Sequence, residues 1–209
     1  MKIIDPSVEL VNPISYEIAL NTIELAGRTC YKSENKITND SAEEFIRNII
    51  KRGHEAVLEH VSITAKFICD RGVSHEIVRH RIASYCQEST RYCNYSKDKF
   101  GNEITVIKPC FYEEESTGFS EWYASCKMSE IYYFALLYEG KAEEARSVLP
   151  NSLKTEIIMT TNIREWRHFF KLRCSKAAHP QMRQIATMLF EQMKSKYPVF
   201  FEDIDIDKL

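Results

Sequence analysis

Apolar and polar residues alternate most regularly from Val61 to Cys69. Val61, Ile63, Ala65, Phe67 and Cys69 share one face, and Ser62, Thr64 and Lys66 the other, which predicts a half-buried strand. A second strand is expected over Leu153 to Thr161, where β-branched residues concentrate, and a short one over Ile104 to Ile107, closed by Pro109. Elsewhere the period is helical. Ile18, Ala19, Ile23 and Ala26 predict a helix from Ser15 to Ala26 with Gly27 as its stop and Arg28 to Tyr31 as loop. Ser41 to Glu44 reads as a capping box opening a helix that carries Phe45, Ile46, Ile49 and Ile50 and ends at Gly53.

A turn at Asp70-Arg71-Gly72 leads into a helix from about Val73, and the chain from there through Ser96 reads as loop once that helix ends near Arg79. Long helical spacing returns over Phe119 to Glu139, and a further helix over Lys141 to Val148 stops at Leu149-Pro150. Asn162 is placed to cap a helix bearing Trp166, Phe169 and Phe170 and ending near Arg173, and Pro180 to open a last helix with Met182, Ile185, Leu189 and Met193 inside. The acidic tail after Phe201 is expected to fray. The class is α+β, an antiparallel sheet core with surrounding helices, in a single domain over residues 1–209.

Composition narrows the setting. At 209 residues, 44% hydrophobic and 28% charged, this is the profile of a globular protein, with no run apolar enough to span a membrane. The first residues lack a signal-peptide hydrophobic stretch, so a cytoplasmic location is expected. Seven cysteines with no Cys-x-x-Cys argue for reduced thiols, and no metal site is assigned. The net charge of −2 excludes a global basic field for nucleic acid. The charge that matters is local. From Arg71 to Lys97 there are five basic residues (Arg71, Arg79, Arg81, Arg91, Lys97) against Glu76 and Glu88.

Within that stretch, Arg79-His80-Arg81 crowds three cationic or potentially cationic groups, which is unfavourable without an anion among them. Arginine forks suit phosphate. The glycine-rich phosphate loops are absent, and Cys86 and Ser89 lie in no nucleophile motif, so Cys86 reads as a packing residue. Residues alone leave three readings: a small-polyanion site, a metal-dependent nucleotide hydrolase using His54, His60, His75 and His80, or a nucleic-acid module.

Arg79-His80-Arg81 followed at fixed spacing by Ser89 and Arg91 resembles the signature of the flavin-dependent (ThyX-type) thymidylate synthases. Gly53-His54-Glu55 with Glu59-His60 upstream, Arg146 to Pro150 downstream, and Asn162-Ile163-Arg164, His168 and Leu172-Arg173 extend the likeness over about Val8 to Phe200. The resemblance implies a methyltransferase that converts dUMP to dTMP with FAD, NADPH and 5,10-methylenetetrahydrofolate, without an enzyme cysteine as nucleophile. It implies Arg173 as the catalytic residue beside the uracil. It implies FAD contacts from His54, Ala56, Arg79, His80, Arg81, Gln87, Asn162, Ile163, Arg164 and His168. It implies dUMP contacts from Glu76, Ile77, Val78, Arg79, Gln87, Glu88, Ser89, Thr90, Arg91, Arg146 and Arg173. It also implies a homotetramer with shared active sites, and no nucleic-acid or membrane partner. The chain departs from the family's usual residues at Cys30, Ala56, Glu76, Cys86 and Gln87. At 76 a carboxylate, which only accepts hydrogen bonds and repels phosphate, replaces the customary glutamine.

Overall fold

A computed structural model describes residues 1–209. In chain order the elements are β1 (Lys2–Ile4), β2 (Ser7–Leu10), α1 (Tyr16–Tyr31), α2 (Ser41–Lys51), β3 (Ser62–Asp70), α3 (Arg71–Ile77) and β4 (Ser84–Gln87). There follow β5 (Thr105–Ile107), α4 (Thr117–Glu139), α5 (Ala142–Ala145), β6 (Lys154–Asn162), α6 (Ile163–Arg173), α7 (Pro180–Lys196) and α8 (Pro198–Phe201). A four-stranded antiparallel sheet has the order β2-β3-β6-β4, and β1 pairs in parallel with β5. The expected antiparallel sheet with helices is therefore present. Its fourth strand, β4, falls in the stretch read as loop. Only four residues long, with a backbone that pairs to β6, it carries too little alternation to announce itself.

The chain divides into two compact units: residues 1–7, 67–79 and 86–157, and residues 8–66, 80–85 and 158–209. In the second, Trp166 stacks on Phe170, which meets Phe190 and Phe201 edge-on. Gly27 does not stop α1. The helix runs four residues on to Tyr31 and ends where Lys32 turns left-handed at φ 50°. Gly27 is buried because α2 crosses there. A Cβ on it would stand 2.6 Å from the Phe45 ring.

The capping box at Ser41 is not formed. Asp40 precedes the helix without a side-chain cap, and the Ser41 hydroxyl donates to buried Glu24 across to α1 at 2.7 Å. Gly53 does end α2, at φ 72°, with the Gly53 and His54 N–H groups donating to Ile50 and Ile49 carbonyls. This pattern needs the left-handed residue and sets His54 just outside the helix. The tail is not frayed. Ile204 is buried and Asp203 pairs with Arg167 at 2.6 Å.

In the first unit a core of Tyr95, Ile104, Val106, Cys126, Tyr133, Ala145 and Leu153 lies between β5 and one face of α4. The expected faces of β3 hold, with Ile63, Ala65, Phe67 and Cys69 all buried. Asp70 caps α3 by accepting from the Val73 N–H at 2.7 Å. The region after α4 is a short α5 followed by a 3-10 turn at Arg146–Val148.

Candidate active site

Helix α6 organises the second unit's site. Its Asn162 side chain accepts from the Glu165 N–H at 2.9 Å, the cap expected from the sequence. The helix starts where β6 ends, so β6 sets its direction. An open cavity of about 500 Å3 is lined by Glu55, Glu59, Ile82, Asn162, Arg164, Glu165, His168 and Lys171. The positive dipole end of α6 favours an anion near its amino terminus, although the Ile163 N–H already donates to the Val61 carbonyl and the Glu165 N–H to Asn162. Arg164 is exposed and pairs with Glu59 at 2.5 Å, an interaction of small net worth that a ligand can displace. Ile82 is held at the rim because its carbonyl accepts from the Thr161 hydroxyl. His54 and Ala56 are exposed on the 3-10 segment that precedes β3, and His54 Nδ1 meets the Tyr31 hydroxyl at 3.2 Å.

His80 sits apart from its flanking arginines. Arg79 and Arg81 are exposed, whereas His80 is 4% exposed, so the crowding of three cations does not arise. Tyr85 donates to the His80 carbonyl at 2.6 Å and pins the backbone. The His80 ring packs 4.9 Å from Phe169, with Nδ1 2.8 Å from Glu165 Oε1 and Nε2 3.1 Å from Arg173 Nε. Arginine Nε only donates. Nε2 therefore accepts, and Nδ1 carries the proton that goes to Glu165. Burial pushes the His80 pKa down, the Arg173 and His168 charges add to this, and Glu165 opposes it. His80 is thus a neutral ring between a carboxylate and a guanidinium.

The first unit holds most of the residues that the resemblance implies for dUMP. Gln87, at the end of β4, donates from Nε2 to Ser74 Oγ at 2.9 Å and Thr155 Oγ1 at 3.2 Å, which fixes its amide. Ser89 Oγ accepts from the Arg91 N–H at 3.3 Å, in a turn whose Thr90 is buried. Arg91 donates to Glu143 at 2.9 Å, and that hydrogen bond with the Arg91 charge, helped more weakly by Lys141 and then Arg146, holds the Glu143 carboxyl below its usual range. Both arginines are exposed, and with Lys141 they place positive charge around this one carboxylate, which only Arg91 contacts. Glu88 is committed inward, accepting from Lys154 at 2.9 Å and Tyr95 at 3.1 Å. Ile77 is buried, Glu76 half-buried, and Val78 and Arg79 exposed beyond the end of α3.

The sequence pattern singled out the arginines and histidines but passed over their partners. Glu165 and Lys171 are ordinary helix residues until the three-to-four-residue spacing from Asn162 and His168 is drawn on one face. Nothing local marks Glu143 or Ser74. Cys86 is exposed and does not pack in the core as expected, since β4 turns it outward. All seven cysteines are free, and burial raises Cys69, Cys126 and Cys174, the last to about 11. One group of potential metal ligands comes together, His80, Glu165 and His168, with ligand atoms within 4.8 Å of one another. Both ring nitrogens of His80 are already engaged there. No helix is long and apolar enough to cross a membrane.

Comparison with known proteins bears on these two groups of residues. A family model described as "Thymidylate synthase complementing protein" matches residues 14–199. A flavin-dependent thymidylate synthase of Geobacter sulfurreducens is 36% identical over 189 residues, covering 87% of this chain and 80% of that one. One from Corynebacterium aurimucosum is 32% identical over 206 residues, 90% of this chain and 80% of its own. The crystal structure of a UMP/dUMP methylase, PolB from Streptomyces cacaoi bound with 5-Br dUMP, superposes with a TM-score of 0.78. At 22% identity over 97% of this chain and 96% of that one, it establishes the shared fold. The arginine and histidine motifs thus stand within a likeness that spans nearly the whole sequence, and the chain belongs to the flavin-dependent thymidylate synthase family.

Proposed function

We propose that this enzyme methylates dUMP reductively to dTMP, with FAD as cofactor, NADPH as reductant and 5,10-methylenetetrahydrofolate as carbon donor, and with no protein cysteine as nucleophile. Family membership over residues 14–199 carries the reading. The donor set of the α6 cavity fits a flavin nucleotide once Arg164 leaves Glu59: Asn162, Arg164 and Lys171 offer hydrogen bonds and positive charge, and Ile82 and the His168 ring offer apolar and planar surface. The lining carboxylates Glu55 and Glu165 are engaged by Arg167 and His80. Asn162, Ile163, Arg164 and His168 would hold it, with Arg79, Arg81 and Gln87, and with His54 and Ala56 reaching it from a neighbouring subunit. His80, both ring nitrogens engaged, would border the site without offering it a free ring donor or acceptor. When bound and reduced, the flavin supplies the hydride. The chain's own residues bind, orient and polarise.

Arg91 and Arg146 take the phosphate of dUMP, which displaces the Glu143 carboxylate from Arg91. Gln87, Ser89 and Thr90 orient the nucleotide, with Glu88 contributing through its backbone because its carboxylate is tied to Lys154. Glu76 to Arg79 border it. Arg173 lies against the uracil edge and favours ionisation at N3. The enzyme works in the cytoplasm as one functional domain within a homotetramer, without nucleic acid, membrane or resident metal. An exposed apolar seam on α4 supports the assembly. Ala124, Met128, Ile131, Ala135 and Tyr138 recur at alternating spacings of four and three, the pattern of a helix that pairs with another.

Purified protein is expected to bind FAD, to oxidise NADPH faster with dUMP present, and to form dTMP with the folate. Arg173→Ala should abolish dTMP formation and leave flavin binding within about threefold, since its contact is to the substrate. Protein that neither takes up FAD nor makes dTMP refutes the reading.

A further inference from the structure

We infer that Glu165 and His80 form a positioning pair that holds the Arg173 guanidinium in one orientation, His80 serving as a neutral acceptor protonated on Nδ1. The inference rests on the reading of Arg173 given above and extends it inward. The family resemblance implies His80 for the flavin, yet its ring is buried and both nitrogens are engaged, Nδ1 at 2.8 Å from Glu165 and Nε2 at 3.1 Å from Arg173. Arg173 is the last residue of α6, where the chain begins to leave the helix and a long side chain has many rotamers. An acceptor at its Nε holds the plane of the fork. That acceptor is available only while Nε2 is unprotonated, and the Glu165 carboxylate secures this by accepting from Nδ1–H. The backbone on both sides is pinned, by the Asn162 cap at Glu165 and by the Tyr85 hydroxyl at the His80 carbonyl.

The charged and titratable groups facing His80 are Glu165, His168 and Arg173 from α6 and Tyr85 from β4. A protonated His80 donates from both nitrogens and repels Arg173. Turnover is therefore expected to fall as pH falls through the folded His80 pKa, which burial holds below the usual histidine value.

Steady-state kinetics on the flavin-loaded enzyme test this, with FAD and dUMP affinities measured separately. Glu165→Ala is expected to lower kcat on the order of 100-fold at saturating FAD, the cofactor being held in excess because Glu165 also lines the α6 cavity, while KM for dUMP stays within about twofold, because orientation and not dUMP binding is lost. Glu165→Gln keeps an acceptor for Nδ1–H and so should retain most of kcat. It removes the carboxylate that raises the His80 pKa, so its acidic limb should move to lower pH. This isosteric variant carries the test if Glu165→Ala fails to fold. Full kcat in Glu165→Ala, or an unmoved acidic limb in Glu165→Gln, overturns the pair while an inactive Arg173→Ala leaves the role of Arg173 standing. A fully active Arg173→Ala overturns both.

Discussion

Arg167 is 1% exposed and carries a full charge into the interior of α6, three residues past Arg164. It is held there by Asp203 at 2.6 and 2.7 Å, by Glu55 at 3.2 Å and by the Phe200 carbonyl at 2.5 Å. Burial raises the Asp203 pKa, but the Arg167 hydrogen bonds and charge outweigh this and hold it below the usual range. A carboxylate depressed on folding contributes in full above its unfolded pKa, about 3.9, and the contribution is lost as pH falls through the lower folded value. Breaking a buried pair costs about 3–5 kcal/mol, and the 44% exposure of the Asp203 side chain discounts this to about 1–3. Asp203→Asn is therefore expected to lower the melting temperature by several degrees at neutral pH, with the gap closing below about pH 3.9. A gap that stays constant with pH would assign the loss to packing. Neither Arg167 nor Asp203 stood out in the sequence, where Arg167 is one of four arginines from Arg164 to Arg183 and Asp203 one of several tail acids. Burial distinguishes them, and burial depends on how α6 meets the chain after α8.

Among the elements, β3, β6, α6 and α7 match their sequence patterns because each buries one face and keeps a clean period. The mismatches have local causes. Gly27 marks a helix crossing rather than a helix end, and β4 draws its hydrogen bonds from β6 more than its identity from its own residues. Helix α4 is the telling case. It buries Cys126, Glu130 and Tyr133 yet leaves Met128, Ile131, Tyr132, Leu136 and Tyr138 exposed. A helix apolar on two faces is at rest only with both covered. A second copy of the chain is the occupant that the tetramer reading requires, and the seam's three-four spacing suits helix against helix. Ile131→Asp is expected to yield a smaller species by light scattering, because a charge in such a seam stays unpaired on desolvation. An unchanged mass would place the subunit contacts elsewhere.

At the scale of the molecule, the motif that marks the sequence most clearly is divided between the two units. Residues 79 and 86–91 belong with one unit and residues 80–85 with the other, so a short stretch of chain supplies both the arginines assigned to dUMP and the His80 junction beside α6. The spacing of Arg79, His80, Arg81, Ser89 and Arg91 was legible because ligand chemistry constrains it. The carboxylates that set those groups, Glu165 and Glu143, were not, since they act through contacts made only in the fold. The assignment of ligands can be read from stability. A ligand that binds only the folded chain at about 100 times its Kd adds about 2.7 kcal/mol, or roughly 5–10 °C for a chain of this size. FAD and dUMP are each expected to raise the melting temperature by that order. Arg164→Ala should remove the shift from FAD, since its side chain lines the α6 cavity and its exposed pairing with Glu59 adds little to stability. Arg146→Ala should remove the shift from dUMP, since Arg146 is assigned to the phosphate and its charge reaches the position of Glu143. Melting that no ligand changes, or shifts that survive both substitutions, would break the link between these arginines and the nucleotides assigned to them.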